Sequence, residues 1–586
     1  MSPLRRAARA LFRFILGRIG KIVAIPVRRR LFAFEAATHN PEVLQDALLR
    51  RFLALQADTG FGHDHRFRDI ASYEDFCRQV PVAGYEAIEP YISRMRKGDF
   101  RALVSDGPVH MFALTSGTTA TRKYIPVTAS YLDDYRRGWN IWGLKVFRDH
   151  PDTKLRPIVQ VSGDWNECQT EAGTPCGAVT GLTARMQKRL IRWLYCVPAC
   201  AGSIKDAAAK YYLILRLSLP REVAMIVAAN PSTMLALARA GDREKENLIR
   251  DLHDGTLSQA YNIPAAVREA VAHKIRKRHK QRAKELEAIV ARTGTLYPKD
   301  YWPPHCLLGN WMGGSVGAYL RHYPHYFGDR LVRDVGLIAS EGRMTIPMTS
   351  GTPSGVLDIT SHFFEFIPEE DGDSTQPTVL RAHELAEGRN YYILLTTAYG
   401  LYRYHIYDVV RVTGFHNNTP LIEFLSKGSH FSNLTGEKLS EYHVTAAVQA
   451  VVRELDVPLG TYSVAPCWPA SGDDLTPYYG LFVERGDLPN LAGAGRFARR
   501  LDERLAELNV EYAAKRESLR LSPLRVLLLP AGTWQEWDRK RLERTGGTLE
   551  QYKHPCLIGD TQFCMTMAVE HEVSPEPARA TTARAV

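Results

Sequence analysis

Met111-Phe-Ala-Leu-Thr-Ser-Gly-Thr-Thr-Ala-Thr-Arg-Lys-Tyr-Ile-Pro126 is the stretch whose reading decides the rest of the chain. Met111 to Leu114 is a short apolar run of the length expected for a buried strand. Thr115, Ser116, Gly117, Thr118 and Thr119 follow it, all small and nearly all hydroxylated. Small side chains let the backbone curl so that successive N–H groups face one point, which suits an anion. The hydroxyls add donors, Lys123 adds a mobile positive charge, and Pro126 closes the unit. Phosphate oxygens accept from groups of all these kinds. The spacing is not that of a Walker A loop, G-x-x-x-x-G-K-[ST]. A plain polar turn between two strands has the same composition, so the stretch alone leaves both readings open.

On its N-terminal side, residues 34–100 carry helix signals. Asn40-Pro41-Glu42 puts proline at the first helical position. Residues 1–33 form a basic leader in which Arg5, Arg6, Arg9, Arg13, Arg18, Lys21 and Arg28 to Arg30 alternate with Leu11, Phe12, Phe14, Ile15, Leu16, Ile19, Ile22 and Val23. The arginines break the apolar run too often for a membrane span or a secretory signal. Two readings stand: a basic amphipathic helix lying on an anionic membrane, or a helix packed on its own domain with its basic side in water.

On the C-terminal side, residues 130–260 mix a strand at Ile158–Val161 with apolar helices, clearest at Tyr211–Leu217 and Val223–Ala229. Asn230-Pro231-Ser232 opens another helix. Trp139, Trp142 and Phe147 are weak candidates for lining an acyl pocket, since such aromatics are more often core. Residues 264–292 read as one helix crowded with arginine and lysine. No aromatic residues interleave those charges, so the run is a solvated face rather than a nucleic-acid surface. Gly309 to Gly317 is a strand passing into a loop. His305, His322 and His325 near it lack metal-ligand spacing.

Two carboxylates further on have the chemistry to accompany a phosphate site. Val335-Gly-Leu-Ile-Ala-Ser-Glu-Gly342 is a strand running into a loop, and ligands of open α/β sheets sit at such strand ends. Glu341 is therefore a candidate Mg²⁺ ligand, since Mg²⁺ takes carboxylate oxygen together with substrate phosphates. A carboxylate at a helix N-terminus is the plainer alternative. Asp408 lies among aromatic and β-branched residues in Leu401–Phe415. A carboxylate there must be paired or liganded, either by ribose hydroxyls or by a neighbouring arginine.

Around Lys427-Gly428 the texture becomes turn-rich, which places a domain boundary. Residues 429–570 read as a small α+β domain. Its strands fall near Thr461–Ala465, Gly480–Val483 and Val526–Leu529, with helices from His443 and over Arg496–Leu508. Thr548-Leu-Glu-Gln-Tyr-Lys-His-Pro555 contains Lys553. Residues 571–586 read as a disordered tail.

A chain of 586 residues, 45% hydrophobic and 24% charged, is a globular protein of two or more domains. Its formal net charge of +11 suits any anionic partner. The cysteines number nine, lie scattered and include no C-x-x-C pair, which speaks against a disulfide framework or zinc site and for buried free thiols in a reducing, cytoplasmic setting.

Together these stretches resemble the Gretchen Hagen (GH3, auxin-responsive) family of acyl-acid amido synthetases, within the adenylate-forming superfamily of acyl-CoA synthetases, luciferases and peptide-synthetase adenylation domains. The resemblance runs from about Phe34 to Ile558. It is carried by Asn40-Pro41-Glu42, Thr115–Lys123, Ile338-Ala-Ser-Glu341, Phe364-Glu-Phe-Ile-Pro368, Gly400-Leu-Tyr-Arg-Tyr404 with Asp408-Val409, Gly436-Glu-Lys-Leu439 and Gln551-Tyr-Lys-His-Pro555. Each is weak alone; their order makes the case. The first motif departs at Ala120 and Arg122, where Gly and Pro are usual. Leu337 stands where the second motif usually has Tyr. The third motif, usually Y-R-x-G-D, reads Tyr404-His405-Ile406-Tyr407-Asp408, which puts the local turn in doubt.

The resemblance implies an α/β fold: a large, multi-layered N-terminal adenylate-forming domain (34–428) and a smaller, mobile α+β C-terminal domain. It implies ATP and Mg²⁺ as cofactors, and adenylation of a carboxylic acid followed by transfer of the acyl group to an amine, commonly an amino acid. By the same resemblance Thr115, Ser116, Gly117, Thr118 and Thr119 hold phosphates, and Lys123 neutralises the leaving pyrophosphate. Ser340 flanks the nucleotide, Glu341 binds the metal and Asp408 grips the ribose. Lys438 and Lys553 reach the phosphates from the small domain on closure. The partners expected are small acids and amines, with no nucleic acid; membrane contact is confined to the leader, at the inner face of a membrane. Two alternatives remain: transfer to a thiol such as CoA, and a non-catalytic binding protein on a decayed fold.

Overall fold

A computed structural model describes residues 25–576 apart from 106, 116–122, 188, 315–318, 321, 373, 375, 428–430, 458, 470–475, 489 and 546–553. The chain divides between Leu425 and Ser426 into two compact units, each described by itself.

The first unit opens with α1 (Ile25–Ala37). This helix crosses residue 33, where the leader was expected to end, because Leu31 and Phe34 are buried in an apolar cluster with Ile141, Trp142 and Val146. The C-terminal part of the leader is thus packed structure; residues 1–24 lie outside the described residues. α2 (Pro41–Gln56) starts at the expected proline, and α3 (Tyr85–Arg96) follows it.

A first sheet has the order β2-β1-β5-β4, built from β1 (Met111–Thr115), β2 (Lys123–Val127), β4 (Cys168–Gln169) and β5 (Pro175–Gly177). β1 pairs antiparallel with β2 and parallel with β5. The long helix α4 (Ala129–Asp149) follows β2, its start capped by the Thr128 hydroxyl.

A second sheet is wholly parallel, in the order β3 (Ile158–Gln160), β6 (Met225–Val227), β7 (Leu307–Gly309), β8 (Val332–Arg333). Parallel neighbours need crossover connections. Here α5 (Ala207–Ser218) joins β3 to β6, and α6 (Pro231–Arg243), α7 (Lys245–Asp254), α8 (Ala265–Ile275) and α9 (Lys280–Thr293) lie between β6 and β7. Val223–Ala229, expected as a helix, contains β6. An apolar run this short has no period that separates the two, and flanking parallel strands decide it.

Residues 264–292, expected as one helix, are two. The break at Arg276–His279 is held by the His279 N–H on the Leu252 carbonyl (2.8 Å) and the Arg278 guanidinium on the Asp254 carbonyl (3.1 Å). Gly255 sits under this break at φ +76, and a Cβ there would meet the Arg276 carbonyl at 2.8 Å.

The hairpin of β9 (Ile338–Ala339) and β10 (Gly342–Arg343) precedes a seven-stranded sheet. Its order is β11 (Thr345–Ile346), β12 (Gly355–Leu357), β17 (Thr419–Lys427), β16 (Tyr404–His416), β15 (Asn390–Thr396), β13 (Phe363–Pro368), β14 (Leu380–Arg381). β13, with every residue buried, packs with Phe52 and Phe76 in the main core. Beside it a buried ion pair, Arg403 with Glu365 at 3.0 Å, also accepts the Tyr73 hydroxyl at 2.8 Å. Trp142 and the half-buried Trp139 and Phe147 belong to an apolar cluster, and the Trp142 indole donates to the Asp334 carbonyl at 2.7 Å. Trp142 is core, and Trp139 and Phe147 pack against it.

In the second unit, β18 (Phe431–Ser432) and β19 (Leu439–Ser440) pair ahead of α10 (Glu441–Leu455). A four-stranded sheet then runs β20 (Tyr462–Cys467), β21 (Tyr478–Glu484), β22 (Arg525–Leu529), β23 (His571–Val573), with the amphipathic α11 (Leu491–Leu508) packed on it. β23 corrects the tail expected from residue 571. It pairs with Val526–Leu528, and Val573 packs on the unit's core. Residues 577–586 lie outside the described residues.

Candidate active site

Lys123, Ser340, Glu341 and Asp408 all fall in the first unit. Lys123 opens β2 as the register partner of Thr115, so the stretch 116–122 begins and ends at one residue pair. Its side chain is buried, and its ammonium lies 5.5 Å from the centre of the Tyr85 ring, a cation–π contact. The next backbone N–H, of Tyr124, donates to the Tyr85 hydroxyl at 2.9 Å. Just upstream, the Ala83 carbonyl accepts the His405 N–H at 2.8 Å, and Ala83 N–H donates to the Arg403 carbonyl at 3.4 Å. The segment Ala83–Tyr85, leading into α3, therefore joins the strand that carries Lys123 to the strand that carries Asp408.

Asp408 sits on a bulge. Between β15 and β16 the register passes from Tyr392↔Val409 to Leu394↔His405, leaving extra residues on β16. Tyr407 at its centre has φ +63, a left-handed conformation that costs a non-glycine residue roughly 1–2 kcal/mol. This is where the third motif usually has glycine. The turn is nonetheless made: the Tyr407 N–H donates to His405 Nδ1 at 3.0 Å, and the two rings stack with centroids 4.1 Å apart. His405 and Tyr407 supply by side-chain contact the turn that glycine adopts freely. Asp408 itself is 3% exposed.

Glu341 occupies the turn between β9 and β10, with the half-buried Ser340 before it. Gly342 follows at φ +148, and a Cβ there would lie 2.6 Å from the Tyr399 hydroxyl and 2.8 Å from His362 Nε2. Only glycine allows this approach. The Tyr399 hydroxyl donates to the Glu341 carbonyl at 2.9 Å. Tyr399 lies in the turn that joins β15 to β16, so one hydrogen bond ties the Glu341 turn to the hairpin bearing Asp408. Burial holds the His362 imidazole down at about 4, and hence neutral at pH 7.

The Glu341 carboxylate is 2% exposed, and among the described residues its Oε2 has no hydrogen-bond partner. The buried hydroxyls of Tyr131, in the first turn of α4, and of Tyr404 also lack one. Burial raises the Tyr404 phenol well above its ordinary range, and the Glu341 charge raises it further. Tyr131 and Tyr399 are raised likewise, by burial first and by Glu341 among lesser causes. All three phenols keep their protons. A buried carboxylate oxygen left without a partner is costly, and a hydrated divalent cation satisfies it. Glu341 therefore fits Mg²⁺, which takes carboxylate together with water and phosphate oxygens.

Arg343, on β10, anchors the same region. It is buried, donates to the Val335 and Thr345 carbonyls at 2.7 and 3.1 Å, and lies 4.6 Å over the Trp139 ring. Gly138 in α4 leaves it room, since a Cβ there would meet its Cδ at 2.1 Å.

In the second unit, Lys438 is half-buried and left-handed (φ +47). The turn before it is held from inside. Buried Glu437 accepts from the Leu434 and Thr435 N–H groups at 2.5 and 2.7 Å and from the Tyr479 hydroxyl, while the Asn509 amide donates to the Glu437 carbonyl at 2.9 Å. Ser116, Gly117, Thr118, Thr119 and Lys553 lie outside the described residues, and Thr115 is described for its backbone alone. Tyr85, Tyr131, Tyr399 and Tyr404 were not singled out from the sequence for a role; the only sign was that Tyr399 and Tyr404 stand next to or in the stretch Gly400–Tyr404.

Comparison with known proteins gives a consistent picture. Residues 30–332 match the GH3 family N-terminal domain, residues 355–427 the GH3 family central domain and residues 442–562 the GH3 family C-terminal domain. A probable indole-3-acetic acid-amido synthetase GH3.12 of Oryza sativa subsp. japonica is 26% identical, over 93% of this chain and 96% of that protein. A jasmonoyl–L-amino acid synthetase JAR4 of Nicotiana attenuata is 22% identical, over 92% and 95%. Among solved structures, a GH3.15 acyl acid amido synthetase superposes with a TM-score of 0.61 at 20% identity, over 93% of this chain and 96% of that one. A 2-hydroxyisobutyryl-CoA ligase shares the fold at a TM-score of 0.50 and 13% identity, over 90% and 92%. The expected fold class thus holds, a large mixed domain followed by a smaller one, and with family domains matched in order along most of its length the chain belongs to the GH3 family.

Proposed function

We propose that this chain is an AMP-forming acid–amino-acid ligase: it condenses a small carboxylic acid with ATP to an acyl-adenylate, then passes the acyl group to an amine and releases AMP. The relatives named above are amido synthetases matched nearly end to end. The observation that carries the reading is the linkage of Lys123, Glu341 and Asp408, remote in sequence, to the single β15–β16 hairpin through the Ala83–Tyr85 segment and Tyr399.

Each group has chemistry suited to its part. The carboxylate of the acid attacks the α-phosphorus, and the bond to pyrophosphate breaks. The charge that builds on the leaving oxygens is met by Lys123 and by the N–H and hydroxyl donors assigned to Thr115–Thr119. Glu341 would hold Mg²⁺, which when bound would supply positive charge against the phosphates. Asp408, with Ser340 on the nucleotide side, accepts from ribose hydroxyls. Lys438 and Lys553 keep their assignment to phosphate within this proposal, supported by the resemblance. In the second step the amine nitrogen attacks the acyl carbon, loses a proton, and AMP departs.

The test is ATP–pyrophosphate exchange over a panel of acids, followed by product masses with amino acids and with CoA offered together. Exchange with an amide product supports the proposal. A thioester product would move the chain to the thiol-acceptor reading. Absence of exchange with every acid tried would favour a non-catalytic role.

A further inference from the structure

We infer that Cys168 and Cys176 form a covalent modification site that reacts with a low-molecular-weight disulfide of the glutathione class and closes to an intramolecular disulfide. β4 and β5 run antiparallel with Cys168 directly opposite Cys176. Opposed residues of an antiparallel pair have Cα atoms about 4.5–5.5 Å apart, and a disulfide spans about 4.4–6.8 Å. Closure therefore needs no change of register.

Their surroundings differ in the way the chemistry needs. Of the nine cysteines, Cys168 alone is exposed, and Cys176 is buried. Cys467 and Cys564 lie in one apolar cluster, where Cys467 is buried and Cys564 half-buried. The hairpin joining β4 to β5 is pinned at its tip. Thr170 N–H donates to the Thr174 carbonyl at 2.9 Å, Ala172 N–H to the Arg96 carbonyl at 3.0 Å, and Glu171 pairs with the Arg96 guanidinium at 3.2 Å. Burial and the neighbouring thiol push Cys176 up to about 12; Cys168, on the surface, is the thiol that a dissolved disulfide reaches first.

The steps balance. The Cys168 thiolate attacks one sulfur of glutathione disulfide, forming the Cys168–glutathione bond and expelling one glutathione thiolate, which takes up the proton Cys168 gave to water. Cys176 then loses its proton, attacks the Cys168 sulfur and expels the second glutathione. Two protein thiols are oxidised to one disulfide, and one glutathione disulfide is reduced to two thiols. β5 also pairs with β1 at Phe112↔Cys176, so the bond braces the sheet from which the 116–122 stretch leaves.

The experiment uses the full chain, reduced, exposed to glutathione disulfide, then quenched with an alkylating agent. Digestion C-terminal to glutamate cuts at Glu171, between the two cysteines, so a disulfide appears as two linked peptides without reduction. The expected result is loss of two alkylatable thiols, the Cys168 and Cys176 peptides linked, and recovery of both on reduction. Cys176→Ser should stop at a glutathione adduct on Cys168, and Cys168→Ser should leave Cys176 alkylatable after denaturation. A wild-type chain that keeps a stable glutathione adduct on Cys168, or that reacts at other cysteines while this pair stays reduced, overturns the assignment; both readouts come from the native chain and do not depend on the variants folding.

Discussion

Tyr399→Phe isolates one atom of the candidate site. The hydroxyl it removes donates to the Glu341 carbonyl at 2.9 Å. The ring stays, with its centroid 4.8 Å from that of Tyr131 and 5.8 Å from that of His362, so the change leaves almost no cavity. What is lost is one buried hydrogen bond whose acceptor is then unsatisfied, a cost of about 1–3 kcal/mol. If that bond only holds the turn together, the whole cost appears in thermal or denaturant unfolding. If it also orients the Glu341 carboxylate, part of it appears at the metal: 1–2 kcal/mol there is roughly a five- to thirtyfold weakening. The assay is pyrophosphate exchange at saturating acid across a range of Mg²⁺ concentrations, beside a melting curve. The Mg²⁺ midpoint should rise by about fivefold or more, while the dependence on the acid stays put. A variant that melts earlier by the full amount yet keeps the wild-type Mg²⁺ midpoint refutes the reasoning, because the hydroxyl would then serve the turn and not the carboxylate.

Other outcomes follow from single contacts. Lys123→Ala removes a charge-assisted contact of about 1.5–3 kcal/mol to phosphate, so exchange should fall at least roughly tenfold in a protein that still melts cooperatively; unchanged exchange would remove Lys123 from the site. Glu365→Ala strands the buried Arg403 guanidinium and should cost about 3–5 kcal/mol in denaturant unfolding, against a far smaller loss if the pair were solvated. Tyr407→Gly and Tyr407→Ala both lose the stack on His405, but only alanine keeps the left-handed penalty, so the glycine variant should be more stable by about 1 kcal/mol; equal stabilities would mean the positive φ carries no strain. Burial holds His443 down at about 4 from its ordinary 6.5, and its Nδ1 accepts the Ser440 N–H at 3.2 Å in the cap of α10. The unfolded chain therefore takes up a proton that the folded one refuses, so stability is lost as pH falls from about 6.5 toward about 4. His443→Gln, which keeps an acceptor at that capping position, should show a shallower acid limb; an identical limb would mean His443 does not titrate there.

What was legible in the sequence was whatever a short run can encode. Proline at the start of α2 and of α6, the strand β1 and the three strands β20, β21 and β22 of the small unit were readable from local composition. The errors fall where the deciding contact is remote. Val223–Ala229 has no period to read, and it is a strand because β3 and β7 flank it in parallel. Residues 264–292 look like one helix until the Leu252 and Asp254 carbonyls, more than twenty residues upstream, take the donors at the break. Leu31 looks like part of a basic leader, and only its packing with Ile141, Trp142 and Val146 of α4 makes it core.

The candidate site divides along the same line. Glu341 and Asp408 stood out because a carboxylate amid apolar residues demands a partner. Tyr85, Tyr131, Tyr399 and Tyr404 did not, because a tyrosine in an apolar run looks the same whether its hydroxyl ends in water, on a carbonyl or beside a carboxylate. They come from separate segments, and the fold alone gathers them. Tyr407 shows the limit from the other side. Its sequence change, a tyrosine where the motif has glycine, argued against the turn. The residue two before it reverses that conclusion, since His405 Nδ1 accepts the Tyr407 N–H and its ring supports the tyrosine. The strained conformation is thus stabilised by two side chains that glycine would not need, and the pair is expected to change together: replacing His405 alone leaves Tyr407 with the left-handed cost and without the contacts that offset it.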